Sequence, residues 1–218
     1  MKELFRSLGL AVNGIRYPDM TIEENTITFL TGPSGCGKST LFRILNGTLD
    51  PEEGTLFYRG QDIRVLDSLT HRREVSLVSQ SVFLFPGTIR ENFRQFYQFR
   101  ELPEPDSDRI RFFLELCCLT SDPDADCTTF SGGEKQRVYL AIFLSFGPRV
   151  VLLDEPTSAL DTATSRSLLK NLAAYVKQQE ISLILISHDP GLADGYAESR
   201  IQFGEGCRIT GEGGVSHE

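Results

Sequence analysis

Ile27-Thr28-Phe29-Leu30-Thr31 runs directly into Gly32-Pro33-Ser34-Gly35-Cys36-Gly37-Lys38-Ser39-Thr40. A short apolar run, a glycine-rich turn and the opening of a helical stretch follow one another without a gap. The turn satisfies G-x-x-x-x-G-K-[ST], in the strand–loop–helix setting that gives this pattern its meaning. Its glycines let the backbone fold back so that successive N–H groups converge on one anion, and the helix N-terminus adds its positive end. A glycine turn ahead of a helix needs no lysine and no hydroxyl after it, whereas a phosphate site needs both. Nucleotide binding is therefore expected across Gly32 to Thr40, with Lys38 reaching the β- and γ-phosphates and the Ser39 hydroxyl holding Mg²⁺.

Other apolar runs fit the same architecture. Val75 to Ser79, Val150 to Leu153 and Ile181 to Ser187 read as strands, the last two with almost no alternation, as expected where a parallel sheet is covered on both faces. Lys38 to Asn46, closed by Gly47, and Thr162 to Gln179, opened by Asp161 as N-cap, read as helices. Gly54 to Ile63, with Arg59-Gly60 at its centre, reads as a β-hairpin, and Pro86 to about Leu119 as a helical insertion broken at Leu102-Pro103-Glu104-Pro105-Asp106. Strands alternating with helices argue an α/β domain with a parallel sheet, the hairpin lying near its start and the helical insertion projecting from it.

Val150-Val151-Leu152-Leu153-Asp154-Glu155 ends a buried strand in two carboxylates. Ligands of open α/β sheets sit beyond the carboxyl ends of the strands, so these acids should face Gly32. Successive residues point differently there. Asp154 is expected beside the metal, and Glu155, in the turn before Pro156, near the γ-phosphate as general base on the attacking water.

The 218 residues carry 22 Lys and Arg against 30 Asp and Glu, a formal net charge of −8. That balance opposes a general grip on nucleic acid, and none is expected. No apolar run nears the roughly 18–20 residues of a membrane helix, and the charged N-terminus does not read as a secretory signal. Five cysteines (Cys36, Cys117, Cys118, Cys127, Cys207) without a C-x-x-C pair suggest reduced thiols in a cytosol. A glycine-rich tail spans Gly204 to Gly214.

Phe130-Ser131-Gly132-Gly133-Glu134-Lys135-Gln136-Arg137 resembles the signature, usually LSGGQ, of the ATP-binding-cassette (ABC) ATPases. Further marks fall in that family's order: Gln80 resembles the Q-loop glutamine, Ser158-Ala159-Leu160-Asp161 the D-loop, and His188 the switch histidine. The resemblance runs from about Ile27 to Asp189. It implies the ABC ATPase fold in a single nucleotide-binding domain over 1–218: an α/β P-loop core with a mostly parallel sheet and a small antiparallel β subdomain over 1–80 and 147–218, and a helical insertion with the signature over about 81–146. It also implies ATP hydrolysis with Mg²⁺, in which Glu155, His188, Gln80 and Lys38 act catalytically. Ser39, Gln80 and Asp154 would serve the metal. Ser131, Gly132, Gly133 and Asp161 would join the loop residues, Gln80 and His188 around the nucleotide.

The resemblance also implies a homodimer formed on ATP binding, head to tail, in which Lys38 of one copy and Ser131 of the other grip the same ATP. It implies a separate integral membrane permease docking near Gln80, and a place on the cytoplasmic face of a bacterial inner membrane. Ser81 to Asn92 is similar to the segment after the Q-loop in exporters, and the chain as a whole to the bacterial iron/metal-export ATP-binding group. Phe130 and Glu134 depart from the usual leucine and glutamine. The family's adenine-stacking aromatic has no match near Ala11-Val12-Asn13, and Tyr17 is expected to pack against the sheet. Two alternatives explain less: a soluble ABC ATPase remodelling nucleic acid or ribosomes would add a coiled coil or a second cassette, and an ordinary P-loop kinase leaves Ser131 and His188 without a role.

Overall fold

A computed structural model describes residues 2–204. Cys207 and the tail from Glu205 to Gly214 lie outside the described residues. Five parallel strands form the central sheet in the order β10-β4-β9-β8-β7, from β4 (Ile27–Thr31), β7 (Val75–Val78), β8 (Val150–Asp154), β9 (Ser182–Ile186) and β10 (Ser199–Gln202). Both faces are covered. Val151, Leu153, Leu183 and Leu185 point into one apolar cluster, and Val150, Leu152, Ile184 and Ile186 into another. With both side-chain rows buried, the unbroken apolar runs are what the geometry demands.

The first cluster is closed mainly by α3 (Ile89–Phe99), α4 (Ser107–Leu116), α5 (Gly132–Ser145) and α6 (Thr162–Gln178), with Leu192 and Ala193 added from the helix Pro190–Tyr196. The second is closed by α1 (Lys38–Leu45) and by an antiparallel sheet built on β1 (Glu3–Val12). Around β1 lie β2 (Ile15–Arg16), β3 (Met20–Glu23) and β5 (Glu53–Tyr58), and β6 (Gln61–Asp62) pairs with β5 across the Arg59-Gly60 turn. The hairpin expected over 54–63 is present, but its main partner is β1, which periodicity alone does not reveal. Pairing of β1 with β5 shifts register between Leu8 and Ala11, Gly9 is left-handed at φ +59°, and Ser7 is a buried polar residue inside the strand. A bulge at that point throws the alternation out of phase. Gly54 packs against the backbone of Leu8 and Gly9, where no side chain would fit.

The segment after β7 is held by hydrogen bonds. Asn92, fully buried, accepts from the Phe85 N–H and donates to the Phe85 and Thr88 carbonyls. Thr88 and Glu91 form a reciprocal capping box on α3. The break expected around Pro103-Glu104-Pro105 separates α3 from α4. At the far end of the helical layer, Tyr97 donates to the Ser145 carbonyl at 2.9 Å and Arg109 reaches the same carbonyl, so α3, α4 and α5 share one polar anchor. Helices α2 (Ser68–Glu74) and α7 (Pro190–Tyr196) complete the chain. Leu152 lies fully buried on β8, between β9 and β7. Leu152→Ala is expected to cost about 2–5 kcal/mol, read as a lowered urea midpoint of the nucleotide-free protein.

Candidate functional site

Six of the helices start under a side-chain cap: Asp67, Thr88, Asp106, Ser131, Asp161 and Asp189 each accept from a first-turn N–H. Helix α1 does not. Its N-cap is Gly37, left-handed at φ +95°, with no side-chain hydrogen bond and no acidic residue in the first turn. First-turn N–H groups have no partner inside their own helix, so this end is left for an external anion. The loop that leads to it is held tightly. A Cβ on Gly37 would meet the Tyr17 hydroxyl at 2.9 Å, and one on Gly32 would meet the Phe203 carbonyl at 2.6 Å. Tyr17 donates to the Gly37 carbonyl at 2.9 Å and stands edge-on to Phe203 at 6.5 Å.

That contact refines the expectation for Tyr17: it is buried, but it supports the phosphate loop rather than only the sheet. Its ring is therefore not open to a base, and Ala11 and Val12 are buried as well. Lys38 does not project outward. Only 6% exposed, it donates from Nζ to the Gly32 and Pro33 carbonyls at 2.9 and 2.8 Å, with Cys36 Sγ at 3.7 Å. Cys117, Cys118 and Cys127 are free thiols.

The end of β8 brings the acids to the expected edge. Asp154 pairs with Ile186, and the Glu155 N–H continues the ladder to the Ile186 carbonyl. The chain then turns through a left-handed Glu155 at φ +52°, a conformation that costs a glutamate about 1–3 kcal/mol and is held by its surroundings. Gln136 donates to the Glu155 carbonyl at 3.0 Å and the Ser158 hydroxyl donates to it at 3.1 Å. The carboxylate itself is gripped at both oxygens, by Gln80 Nε2 on Oε2 and by His188 Nε2 on Oε1, each at 2.9 Å. Gln80, Glu155 and His188 thus meet, although they lie 75 and 33 residues apart in the chain.

Asp154 is 8% exposed, with the Ser39 hydroxyl beside it, and its Oδ1 has no hydrogen-bond partner. Burial pushes its carboxyl above the ordinary value, and the adjacent Glu155 charge adds to this against the pull of Ser39 and Lys38. A hydroxyl and a buried, unsatisfied carboxylate oxygen together form a donor set suited to a hard cation such as Mg²⁺.

Ser131 caps α5, and Gly132 and Gly133 form its first turn. A Cβ on Gly133 would meet the Ala159 carbonyl at 2.8 Å, so the helix start packs directly on the Ser158–Asp161 turn. Asp161 caps α6, accepting from the Thr164 N–H at 2.9 Å and the Thr164 hydroxyl at 2.6 Å. A cavity of about 310 Å³ beside Glu155 and His188 is lined by Ser158, Leu160 and Asp189, and does not include Ser131. Gln136 has no role in the motif reading. Its signal was present all the same: it is a polar residue on the buried face of Leu140 and Leu144, at helical spacing.

Comparison with known sequences decides the family. The ABC transporter family matches residues 15–158. The chain belongs to the ABC transporter family. Its ABC domain is an ATP-hydrolysing domain. Among relatives, it is 37% identical over 175 residues to the probable iron export ATP-binding protein FetA of Escherichia coli (strain K12), covering 78% of this chain and 76% of that one. It is 33% identical over 208 residues to the Fe(3+) ions import ATP-binding protein FbpC 1 of Haemophilus influenzae, covering 94% of this chain and 62% of the other. In fold, this ABC domain superposes on cbiO1 of Clostridium perfringens, part of the transporter complex cbiONQ, with a TM-score of 0.82 at 24% identity, over 96% of this chain and 88% of that one. A bacterial Atm1-family ABC exporter with ATP bound gives 0.85 at 24%, over 96% of this chain and 38% of that one. Within the described residues no helix is long and apolar enough to cross a membrane.

The raised Asp154 carboxyl has a consequence for folding. Its charged form is disfavoured in the fold, so the penalty is absent below the ordinary value of 3.8 and grows as pH rises past it. Asp154→Asn is therefore expected to raise the melting temperature of the nucleotide-free protein at pH 7, with the gain shrinking as pH falls toward 4.

Proposed function

We propose that two copies of this chain pair head to tail around two Mg·ATP and, through ATP hydrolysis, drive a separate membrane permease that moves a metal ion or small solute. The observation that carries the reading is the uncapped start of α1, whose Ser39 hydroxyl lies against Asp154, next in the chain to a glutamate whose carboxylate is fixed at both oxygens. The triphosphate takes the free N–H groups of α1, and the Lys38 ammonium exchanges the Gly32 and Pro33 carbonyls for phosphate oxygens. Glu155 receives the proton of the water that attacks the γ-phosphorus, while Gln80 and His188 keep its oxygens aimed. Ser39 and Asp154 would hold Mg²⁺, which supplies positive charge against the phosphates when bound.

Pairing follows from what one copy lacks. Ser131 and the N-terminal turn of α5 form a second anion-binding end, yet Ser131 is not part of the cavity beside Glu155 and His188. A head-to-tail partner would present its own Ser131 to that ATP. The permease reading rests on a surface of aromatic rings after Gln80. Phe83 is 58% and Phe99 71% exposed, and both pack against Phe85, the first edge-on at 4.8 Å and the second tilted at 5.9 Å. Beside them a groove of about 440 Å³ runs from Val82 to Pro86 and on to Cys127 and Lys135. Exposed rings held this close together suit a partner helix. The likeness to FetA supports a metal as the cargo and export as the direction; the likeness to an Fe(3+) importer supports the metal alone. A place against the cytoplasmic face of the membrane follows from that partner.

Three variants test the site. Glu155→Gln should bind ATP, lose about 10²–10⁴-fold in turnover and accumulate as a dimer in light scattering with Mg·ATP. Wild-type turnover would remove Glu155 as the base. Lys38→Ala should lose nucleotide binding in calorimetry. Ser131→Arg should keep ATP binding by the monomer and block pairing; loss of monomer binding would place the serine on its own copy's nucleotide. For the permease, Phe83→Asp should abolish co-purification with the membrane subunit while the isolated chain still hydrolyses ATP.

A further inference from the structure

The two helix ends assigned to phosphate are not alike. Helix α1 begins with no cap and no acid, whereas α5 begins with its anion site already filled by its own side chain. The Ser131 hydroxyl donates to Glu134 Oε2 at 2.7 Å, and the Ser131 N–H donates to the same oxygen at 2.9 Å. The Glu134 N–H returns a bond to the Ser131 hydroxyl at 3.3 Å. A hydroxyl has one proton, and here Glu134 holds it. The Ser131 hydrogen bonds, with Arg137 behind them, hold the Glu134 carboxyl below the usual carboxylate range, so the group is an anion at neutral pH.

We infer that Glu134 is a positioning residue that acts through Ser131 and sets the ATP concentration at which two copies close. This rests on the reading that Ser131 of one copy meets the γ-phosphate held by the other. To make that contact, the serine must release a charge-assisted hydrogen bond, about twice as strong as a neutral one. The phosphate must then approach a helix end that carries a fixed negative charge one hydrogen bond from the serine. Both effects oppose closure, and both occur twice in a symmetric pair. Lys135 and Arg137 on the same helix offset part of the charge, but the bonded proton stays with Glu134.

Glutamine at this position separates charge from structure. Glu and Gln serve equally as the third residue of a capping box, so Glu134→Gln keeps the helix start and removes only the charge. In a Glu155→Gln background, the Mg·ATP concentration at half-maximal pairing, read by light scattering, should fall about fivefold to tenfold. That gain should shrink in about 1 M salt, where the screening length is about 3 Å. It should also shrink when Ser131→Ala is added, because the hydrogen-bonded part of the effect passes through the serine while the charge of Glu134 remains; a gain of undiminished size in that background would remove the serine from the inference. An unchanged or higher ATP requirement for Glu134→Gln, with an unaltered melting temperature, overturns the inference. A loss of folding is checked by the far-ultraviolet spectrum, and Glu134→Met, which also removes the charge, must then show the same direction. If Glu155→Gln alone never pairs, or pairs equally well with Ser131→Arg, the composite site itself fails, and that outcome is distinct from a failure of Glu134 alone.

Discussion

Everything at the site is arranged around a helix that starts without a cap. The first N–H groups of α1 can be satisfied by nothing on their own helix, and the residue before them is a left-handed glycine with no side chain to offer. Every other α-helix among the described residues solves the same problem with Asp, Ser or Thr. Keeping this one end open requires a rigid loop, because a mobile one would collapse onto its own donors. Tyr17 and Phe203 provide that rigidity from beneath, one from the antiparallel sheet and the other from the segment after β10. Lys38 meanwhile lies on loop carbonyls, so its charge is held inside the loop itself.

A second constraint fixes the sheet edge where β8 ends. The parallel sheet ends β8 and β9 side by side, and the ladder carries one residue past β8 before the chain turns at Glu155. The left-handed turn there is secured from the signature helix by Gln136 and from the next turn by Ser158. The same helix presents Ser131 at its start and rests its Gly133 on the Ala159 carbonyl. Glu155, the Ser158–Asp161 turn and the start of α5 are therefore one packed unit, and a movement of α5 is felt at the Glu155 backbone. In a head-to-tail pair, α5 would face one ATP while its Gln136 braces the base of the other.

The helical layer has a different character. Its inner faces join the sheet's own apolar cluster, so it adds no separate core, while its outer edge leaves Phe83 and Phe99 in solvent. Rings at that edge pack on one another rather than on the interior, forming a surface that is ordered before anything binds it.

Sequence alone was enough for the parts whose chemistry is local or periodic. The phosphate loop, the buried strands, the capped helices and the acidic strand end could be read because glycine, cap residues and unbroken apolar runs act over a few positions. The ordered motifs then named the family before any fold was known. It did not show β1, because a bulge and a buried serine break its alternation, nor Gln136, Tyr17 and Phe203 as supports of the site. Nor did it show that Ser131 is held by Glu134, or that Gln80 and His188 close on the same carboxylate. Those facts depend on contacts between segments far apart in the chain, and only the packing of sheet, loop and helix end decides which distant side chains fall within hydrogen-bonding distance.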